Sequence, residues 1–236
     1  PSPQSGNDVT SNTRKTAGFD VEPAFDGFAK TYANGTPQVV WTRLVCDLET
    51  PVSAYMKVAH GRPMTFLLES VEGGATRGRY SMIGLAPDLI WRANGDKAEI
   101  NRAPAKRLDA FKPLPQPTLE ALRTLLAESA IDLPADLPPM AAGVFGHMGY
   151  DTIRLVERLP GTPPDVLGVP DMVLMRPTVI IVFDTVKDEM TVVTPVRPSP
   201  RVTAQTAHAA AIRRLQAVVG ALEAPLPHAA TSAPAP

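Results

Sequence analysis

Runs of apolar residues with the spacing of strands recur along the whole chain. The predicted strands are residues 39–45, 65–69, 80–84, 89–92, 97–102, 142–147, 172–175, 178–184 and 190–194, most of them rich in β-branched or aromatic residues. The dipeptide Asn94-Gly95 between two of these runs suits the positive φ angles of a type I′ turn and predicts a hairpin. A second hairpin is predicted to join residues 178–184 to residues 190–194.

Apolar positions spaced three or four residues apart predict helices between these strands. They are placed at residues 21–33, 51–60, 150–157 and 202–222, with one more that Thr118 caps. Thr50 before Pro51 is a typical helix start, because threonine caps the helix and proline suits its first position. Hairpins and helices that do not alternate regularly predict an α+β fold, mainly antiparallel sheet with flanking helices. The prolines are expected to avoid the middles of these elements.

Composition narrows the class of protein. The chain has 236 residues, is 44% hydrophobic and 20% charged, and has a formal net charge of −1. This balance gives no electrostatic reason to expect a nucleic-acid or membrane partner. Cys46 is the only cysteine, so neither an internal disulfide nor a multi-cysteine zinc site can form. No apolar run is long enough for a membrane span and the first residues are polar, so a cytoplasmic location is predicted.

The distribution of residue types suggests one folded domain between two irregular ends. Residues 1–18 are rich in Ser, Thr, Asn and Gly and are predicted to form a disordered arm. Residues 19–222 carry the predicted helices and strands, and residues 223–236 form an Ala/Pro-rich tail or linker.

Residue spacing alone gives few candidates for chemistry. His147 follows an apolar strand, where a structural role is more common than a catalytic one. Residues 73–79 contain glycines and two arginines but lack the phosphate-binding loop pattern, so a surface turn is the simpler interpretation. Glu69 and Ser70 end a buried strand and could hold a zwitterion, the carboxylate facing an ammonium and the hydroxyl and backbone N–H groups facing a carboxylate. Polar capping of the strand end explains the same residues and is favoured by physical reasoning alone.

Four segments, taken in order, resemble anthranilate synthase component I. They are LETPVSAY at residues 48–55, LLESVEGG at 67–74, GRYSMIG at 78–84 and GVFGHMGYD at 143–151. The last departs from the family pattern because His147 replaces the usual tyrosine. Pro170-Asp171-Met172 and the hairpin through Phe183-Asp184 continue the likeness, which covers roughly residues 20–220.

The resemblance implies an N-terminal, tryptophan-binding regulatory region that forms one half of the family's β-sandwich. The family's enzyme converts chorismate to anthranilate and pyruvate, with Mg²⁺ and with ammonia from a glutamine amidotransferase subunit, and tryptophan inhibits it. It implies Glu69 and Ser70 as tryptophan-binding residues and Ser81 as a weaker candidate. The catalytic and Mg²⁺-binding residues belong to a C-terminal chorismate-binding domain that nothing here matches, so none is assigned, and the chain alone is expected to be inactive. Two alternatives stay open: aminodeoxychorismate synthase component I, and a stand-alone tryptophan-binding module.

Overall fold

The computed structural model describes residues 18–70, 78–161 and 164–227. Helices in this part of the chain are α1 (Phe25–Ala33), α2 (Pro51–Ala59), α3 (Thr118–Ser129), α4 (Ala204–Glu223) and a 3₁₀ helix (Tyr150–Leu155). The strands are β1 (Gln38–Val45), β2 (Phe66–Leu68), β3 (Tyr80–Asn94), β4 (Lys97–Asn101), β5 (Lys112–Pro113), β6 (Phe145–Met148), β7 (Met172–Asp184) and β8 (Glu189–Val196). These elements confirm the predicted α+β class. Most of the predicted arm (residues 1–18), of the Gly-rich turn (73–79) and of the tail (223–236) lies outside the described residues.

The strands form one antiparallel sheet in the order β1-β8-β7-β3-β4-β5. The central pair, β3 and β7, is longer than its neighbours, so each strand meets different partners along its length. The first part of β3 pairs with β2 and its last part pairs with β4. In the same way β7 pairs first with β6 and then with β8. The β3–β7 ribbon therefore joins two halves of the sheet.

Two separate strands were predicted where each of β3 and β7 is continuous, and this part of the prediction is wrong. Pro87 of β3 lies opposite Pro177 of β7, and the register shifts between Pro87 and Leu89. A proline cannot donate a ladder hydrogen bond, but a bulge tolerates it because one residue there is unpaired. The prediction that prolines avoid strand interiors is also wrong. Pro87 and Pro177 lie inside β3 and β7, and Pro195 lies inside β8.

The apolar residues form three packed groups. Helices α1, α2 and α4 cover one face of the sheet half that contains β1, β8 and the first part of β3. Helix α3 packs on the other half, over Leu89, Trp91 and Ile100. The opposite face of the first half is covered near Trp41 and Val193 by the segment after α3. Each half of the sheet thus has its own covering helices and its own apolar core.

Several predicted boundaries differ from the structure at a proline or a turn. Helix α1 begins at Phe25 rather than residue 21, because Glu22 exchanges two backbone hydrogen bonds with Trp41 (2.9 and 2.7 Å) and precedes a proline, where helical backbone is disfavoured. The predicted hairpin forms, but its two-residue turn is Gly95-Asp96, since Asn94 pairs with Lys97. Strand β6 begins only at Phe145, and the helix predicted at residues 150–157 is the 3₁₀ helix.

The two predicted helix starts have different outcomes. Thr50 caps α2 as predicted: its side chain accepts from the Ser53 N–H at 3.0 Å, and the Ser53 hydroxyl accepts from the Thr50 N–H at 2.9 Å. Thr118 was predicted to cap α3 but is its first residue. Its N–H donates to the carboxylate of Asp96 (2.8 Å), so the capping group comes from the hairpin turn and not from the adjacent sequence.

Candidate functional site

The end of β2 and the start of β3 bring Ser70 and Ser81 together. The Ser70 N–H donates to the Ser81 hydroxyl at 3.1 Å. Ser81 is 3% exposed and precedes the buried Ile83 on the helix-covered face of β3, whereas Glu69 and Ser70 are exposed. The buried Ser81 hydroxyl therefore holds the backbone of Ser70 in place, and a direct role of Ser81 in ligand binding stays a prediction. Because the Ser70 N–H is bonded within the chain, the Ser70 hydroxyl is the group of this residue that is left to meet a ligand carboxylate.

Gly78 brings the returning chain into direct contact with Ser70. A Cβ atom built on Gly78 would lie 1.6 Å from the Ser70 Oγ and 2.4 Å from its Cβ. Real Cβ atoms essentially never approach other atoms this closely, so any larger residue at this position would displace Ser70. The absent side chain is what allows the strand end and the returning chain to lie side by side.

Arg79 and Asp184 join the start of β3 to the end of β7, at the same end of the strands. The guanidinium donates to both carboxylate oxygens at 3.0 and 2.8 Å, and it lies 4.8 Å from the centre of the Tyr80 ring. This hydrogen-bonded guanidinium lowers the pKa of Asp184, whose side chain is 8% exposed. The Thr185 N–H adds a bond to the Arg79 carbonyl at 3.1 Å. Sequence reasoning missed this pair because its members are 105 residues apart.

Apolar side chains are exposed on the strand ends and the turn at this end of the sheet. Val45 ends β1 and is 77% exposed, Leu68 ends β2 and is 50% exposed, and Val186 lies in the β7–β8 turn and is 70% exposed. Leu68 directly precedes Glu69 and Ser70, whereas β8, β7 and β3 lie between Val45 and β2. The end of β2 thus presents an apolar side chain, a carboxylate and a hydroxyl, which could bind a small amphipathic molecule that carries an ammonium group.

The contacts of His147 and Cys46, which were also considered from the sequence, favour a structural role for both. His147 is exposed, with Nε2 3.4 Å from the Pro170 carbonyl. The Cys46 thiol donates to the Glu49 carbonyl at 3.2 Å, and its burial raises the pKa of the thiol, which disfavours the reactive thiolate. Within the described residues, no group of three or more His, Cys, Asp and Glu side chains could hold a metal ion. None of the helices in that part of the chain has the length and apolar character needed to cross a membrane.

These observations define an α+β domain with one antiparallel sheet and a polar, partly apolar strand-end site. Comparison with curated proteins relates it to one family. The chain is 53% identical over 192 residues to anthranilate synthase component 1 of Cereibacter sphaeroides, which covers 81% of this chain and 38% of that protein. The same-named protein of Synechocystis is 35% identical over 218 residues, covering 90% of this chain and 41% of that protein. Over the matched residues the chain is thus a homologue of anthranilate synthase component I, as its motifs predicted.

The matched region is only part of each relative. The chain spans less than half the length of these curated relatives. Among solved structures, anthranilate synthase component I from Streptococcus pneumoniae matches with a TM-score of 0.49 and 22% identity, covering 78% of this chain and 37% of that one. No family model matches the chain.

Proposed function

We propose that this chain is the N-terminal, tryptophan-binding regulatory part of an anthranilate synthase component I. The complete protein would convert chorismate and ammonia to anthranilate and pyruvate, with ammonia from a glutamine amidotransferase subunit and with Mg²⁺ held by the remaining part of the polypeptide. The sheet described above would form one half of a β-sandwich, and its strand-end site would bind the inhibitor. The homologues' names support the enzyme family, and the site supports the regulatory role.

The observation that carries the regulatory role is the hydrogen bond from the Ser70 N–H to the buried Ser81 hydroxyl. It ties the end of β2 to the helix-covered face of β3 and leaves Glu69 and the Ser70 side chain at the surface. In the proposal the Glu69 carboxylate binds the ammonium of tryptophan and the Ser70 hydroxyl binds its carboxylate. The indole ring would contact exposed apolar groups such as Leu68.

Inhibition then requires tryptophan to bind one conformation of the complete enzyme better than another. A ligand shifts such an equilibrium only by its difference in affinity for the two states. Residues that contact the ligand should therefore change sensitivity to tryptophan without changing the rate measured in its absence.

The test is Ser70→Phe in the complete enzyme, assayed by anthranilate fluorescence with chorismate and ammonia. We expect the tryptophan concentration for half inhibition to rise about tenfold or more, and the uninhibited rate to change less than about twofold. Glu69→Gln should also raise it, because the ammonium loses its ion pair. The matched control is Glu223→Gln, which removes an exposed carboxylate at the end of α4. Unchanged sensitivity in both Ser70→Phe and Glu69→Gln would refute the assignment of the site.

Two alternative functions can be distinguished from the proposed one, the first by the reaction product and the second by tryptophan binding. Formation of aminodeoxychorismate instead of anthranilate would identify the complete protein as aminodeoxychorismate synthase component I. Tight binding of tryptophan to the 236-residue chain, with no further domain encoded downstream, would favour a stand-alone binding module. The likeness to curated proteins named anthranilate synthase component 1 favours the first proposal over both.

A further inference from the structure

Large exposed apolar side chains concentrate in one surface segment away from the strand-end site. This 148–169 face consists of Met148, Tyr150, Ile153, Val156, Leu159, Val166, Leu167 and Val169. They are eight of the 17 large apolar residues exposed in the described part of the chain, within fewer than a tenth of its positions. Tyr150 and Val166 are each 84% exposed. Single exposed apolar residues are ordinary, but such a concentration marks an interaction surface.

Hydrogen bonds anchor the backbone on both described sides of this face. The Gly149 N–H donates to the Asp171 carbonyl at 2.7 Å, which ties the start of the 3₁₀ helix to the start of β7. The Asp165 carboxylate accepts from the N–H groups of Leu167 and Gly168 at 3.1 and 2.9 Å. The 3₁₀ helix itself buries none of its residues. Polar bonds thus anchor the face at Gly149 and at Asp165, while its eight apolar side chains are exposed. Leu155, which is not one of the eight, packs against the core.

A cavity of about 700 Å³ opens between the 3₁₀ helix and the segment before β7. Its charged lining residues are Asp96, Asp151, Asp165, Asp171 and Arg154. Four aspartates and one arginine give it a formal charge of −3. Val166 and Leu167 of the 148–169 face line the same cavity. The 148–169 face therefore combines exposed apolar side chains with an acidic cavity.

We propose that the 148–169 face docks the remaining part of the longer polypeptide, through an apolar segment whose lysine or arginine enters the acidic cavity. The inference rests on the proposed function, in which this chain is one part of a protein more than twice as long, as its relatives are. Charge complementarity selects a basic side chain, because the cavity has an excess of carboxylates.

A second copy of this chain fits the face less well. Most homodimers are two-fold symmetric, so the same patch would face itself. Two cavities of formal charge −3 would then meet, and like charges at an interface are strongly unfavourable. A covalently linked domain avoids this repulsion.

The first experiment compares amide hydrogen exchange in the complete gene product and in the 236-residue chain. We expect exchange in the peptides covering residues 148–161 and 164–170 to be about tenfold slower or more in the complete protein. Equal exchange in both would overturn the inference and leave the proposed function intact. If no further domain is encoded, the proposed function itself fails. Concentration-dependent dimerisation of the chain that Val166→Ser abolishes would also overturn the inference, in favour of a second copy.

The second experiment measures binding of the 236-residue chain to the separately expressed remaining part. The double variant Val166→Ser/Leu167→Ser should weaken binding about tenfold or more, since both side chains are exposed in the chain alone and their loss should not disturb its fold. Leu108→Ser, which also removes an exposed leucine, is the control and should bind normally. Asp165→Asn removes one charge but keeps the oxygen that accepts from Leu167 and Gly168, and it should weaken binding severalfold. Unchanged affinity in the double variant would overturn the docking surface.

Discussion

Replacing Gly78 with alanine tests whether the close contact with Ser70 shapes the strand-end site. The new Cβ would lie 2.4 Å from the Ser70 Cβ, and rotation of the serine side chain cannot relieve this contact because its Cβ stays in place. The φ angle of Gly78 lies outside the left-handed region, so the expected cost comes from this contact and not from backbone strain. The end of β2 must therefore move away from β3 by about 1 Å to restore an ordinary separation.

This movement would break the hydrogen bond from the Ser70 N–H to the Ser81 hydroxyl. Overpacking typically costs about 1–3 kcal/mol, and loss of one hydrogen bond costs about 1 kcal/mol. Since the strand end is exposed and can relax, we expect Gly78→Ala to lower the free energy of unfolding by about 2 kcal/mol. For a chain of this size the melting temperature should fall by about 4–8 °C.

Thermal unfolding and calorimetric titration with tryptophan are the assays, the second in the complete protein. Tryptophan affinity should fall about tenfold or more, because Ser70 no longer lies where the proposed site needs it. Gly220→Ala is the matched control: no atom lies within 4 Å of its added Cβ, and alanine in a helix should raise the free energy of unfolding by about 0.5–1 kcal/mol. If Gly78→Ala is as stable as the unmodified chain and binds tryptophan normally, the reasoning is refuted.

Two further predictions concern buried charge. Burial beside the Phe25 and Phe28 rings lowers the pKa of His208, so the folded state binds a proton there less readily than the unfolded state does. The free energy of unfolding should therefore fall as the pH falls below about 6.5. Urea unfolding at pH 7.5 and 5.5 should show a smaller pH difference in His208→Leu, and an unchanged difference would contradict the prediction. Asp88→Ala should lower the free energy of unfolding by about 2–3 kcal/mol, because Arg176, 8% exposed, loses a bidentate carboxylate partner at 2.7 and 3.1 Å. Denaturant unfolding measures this loss, and a value below about 0.5 kcal/mol would show that the ion pair contributes little.

Local sequence signals predicted the elements whose causes are local. Thr50 and Pro51 predicted the start of α2 because capping depends on residues three positions apart. Runs of β-branched and aromatic residues likewise predicted β1 and the β7–β8 hairpin. The breaks predicted within β3 and β7 were wrong because a long antiparallel partner stabilises each strand across its proline. Asp96 as the cap of α3 could not be predicted, since its carboxylate acts 22 residues away in the sequence.

The candidate site was predictable only in part. Glu69 and Ser70 were found because they end an apolar run, and Ser81 because it lies in a motif of the family. Two contacts of the site could not be predicted: Gly78 with Ser70, and Arg79 with Asp184. Both depend on which strand ends the fold brings together, and no local sequence pattern contains that information. The docking surface was missed because apolar residues in an irregular segment have no periodicity that separates a buried from an exposed position.

The pairing of β1 with β8 has a consequence for how the protein forms. Gln38 pairs with Val196 and Val45 with Glu189, so the partner of an early strand lies about 150 residues later. At a synthesis rate of about 5–20 residues per second, β1 would wait roughly 8–30 s on the ribosome before β8 exists. During this interval an apolar strand, which includes Val39, Val40 and Trp41, has no sheet to join. Folding of this domain is therefore expected to finish only after β8 emerges, and a chain truncated before Glu189 should aggregate rather than fold.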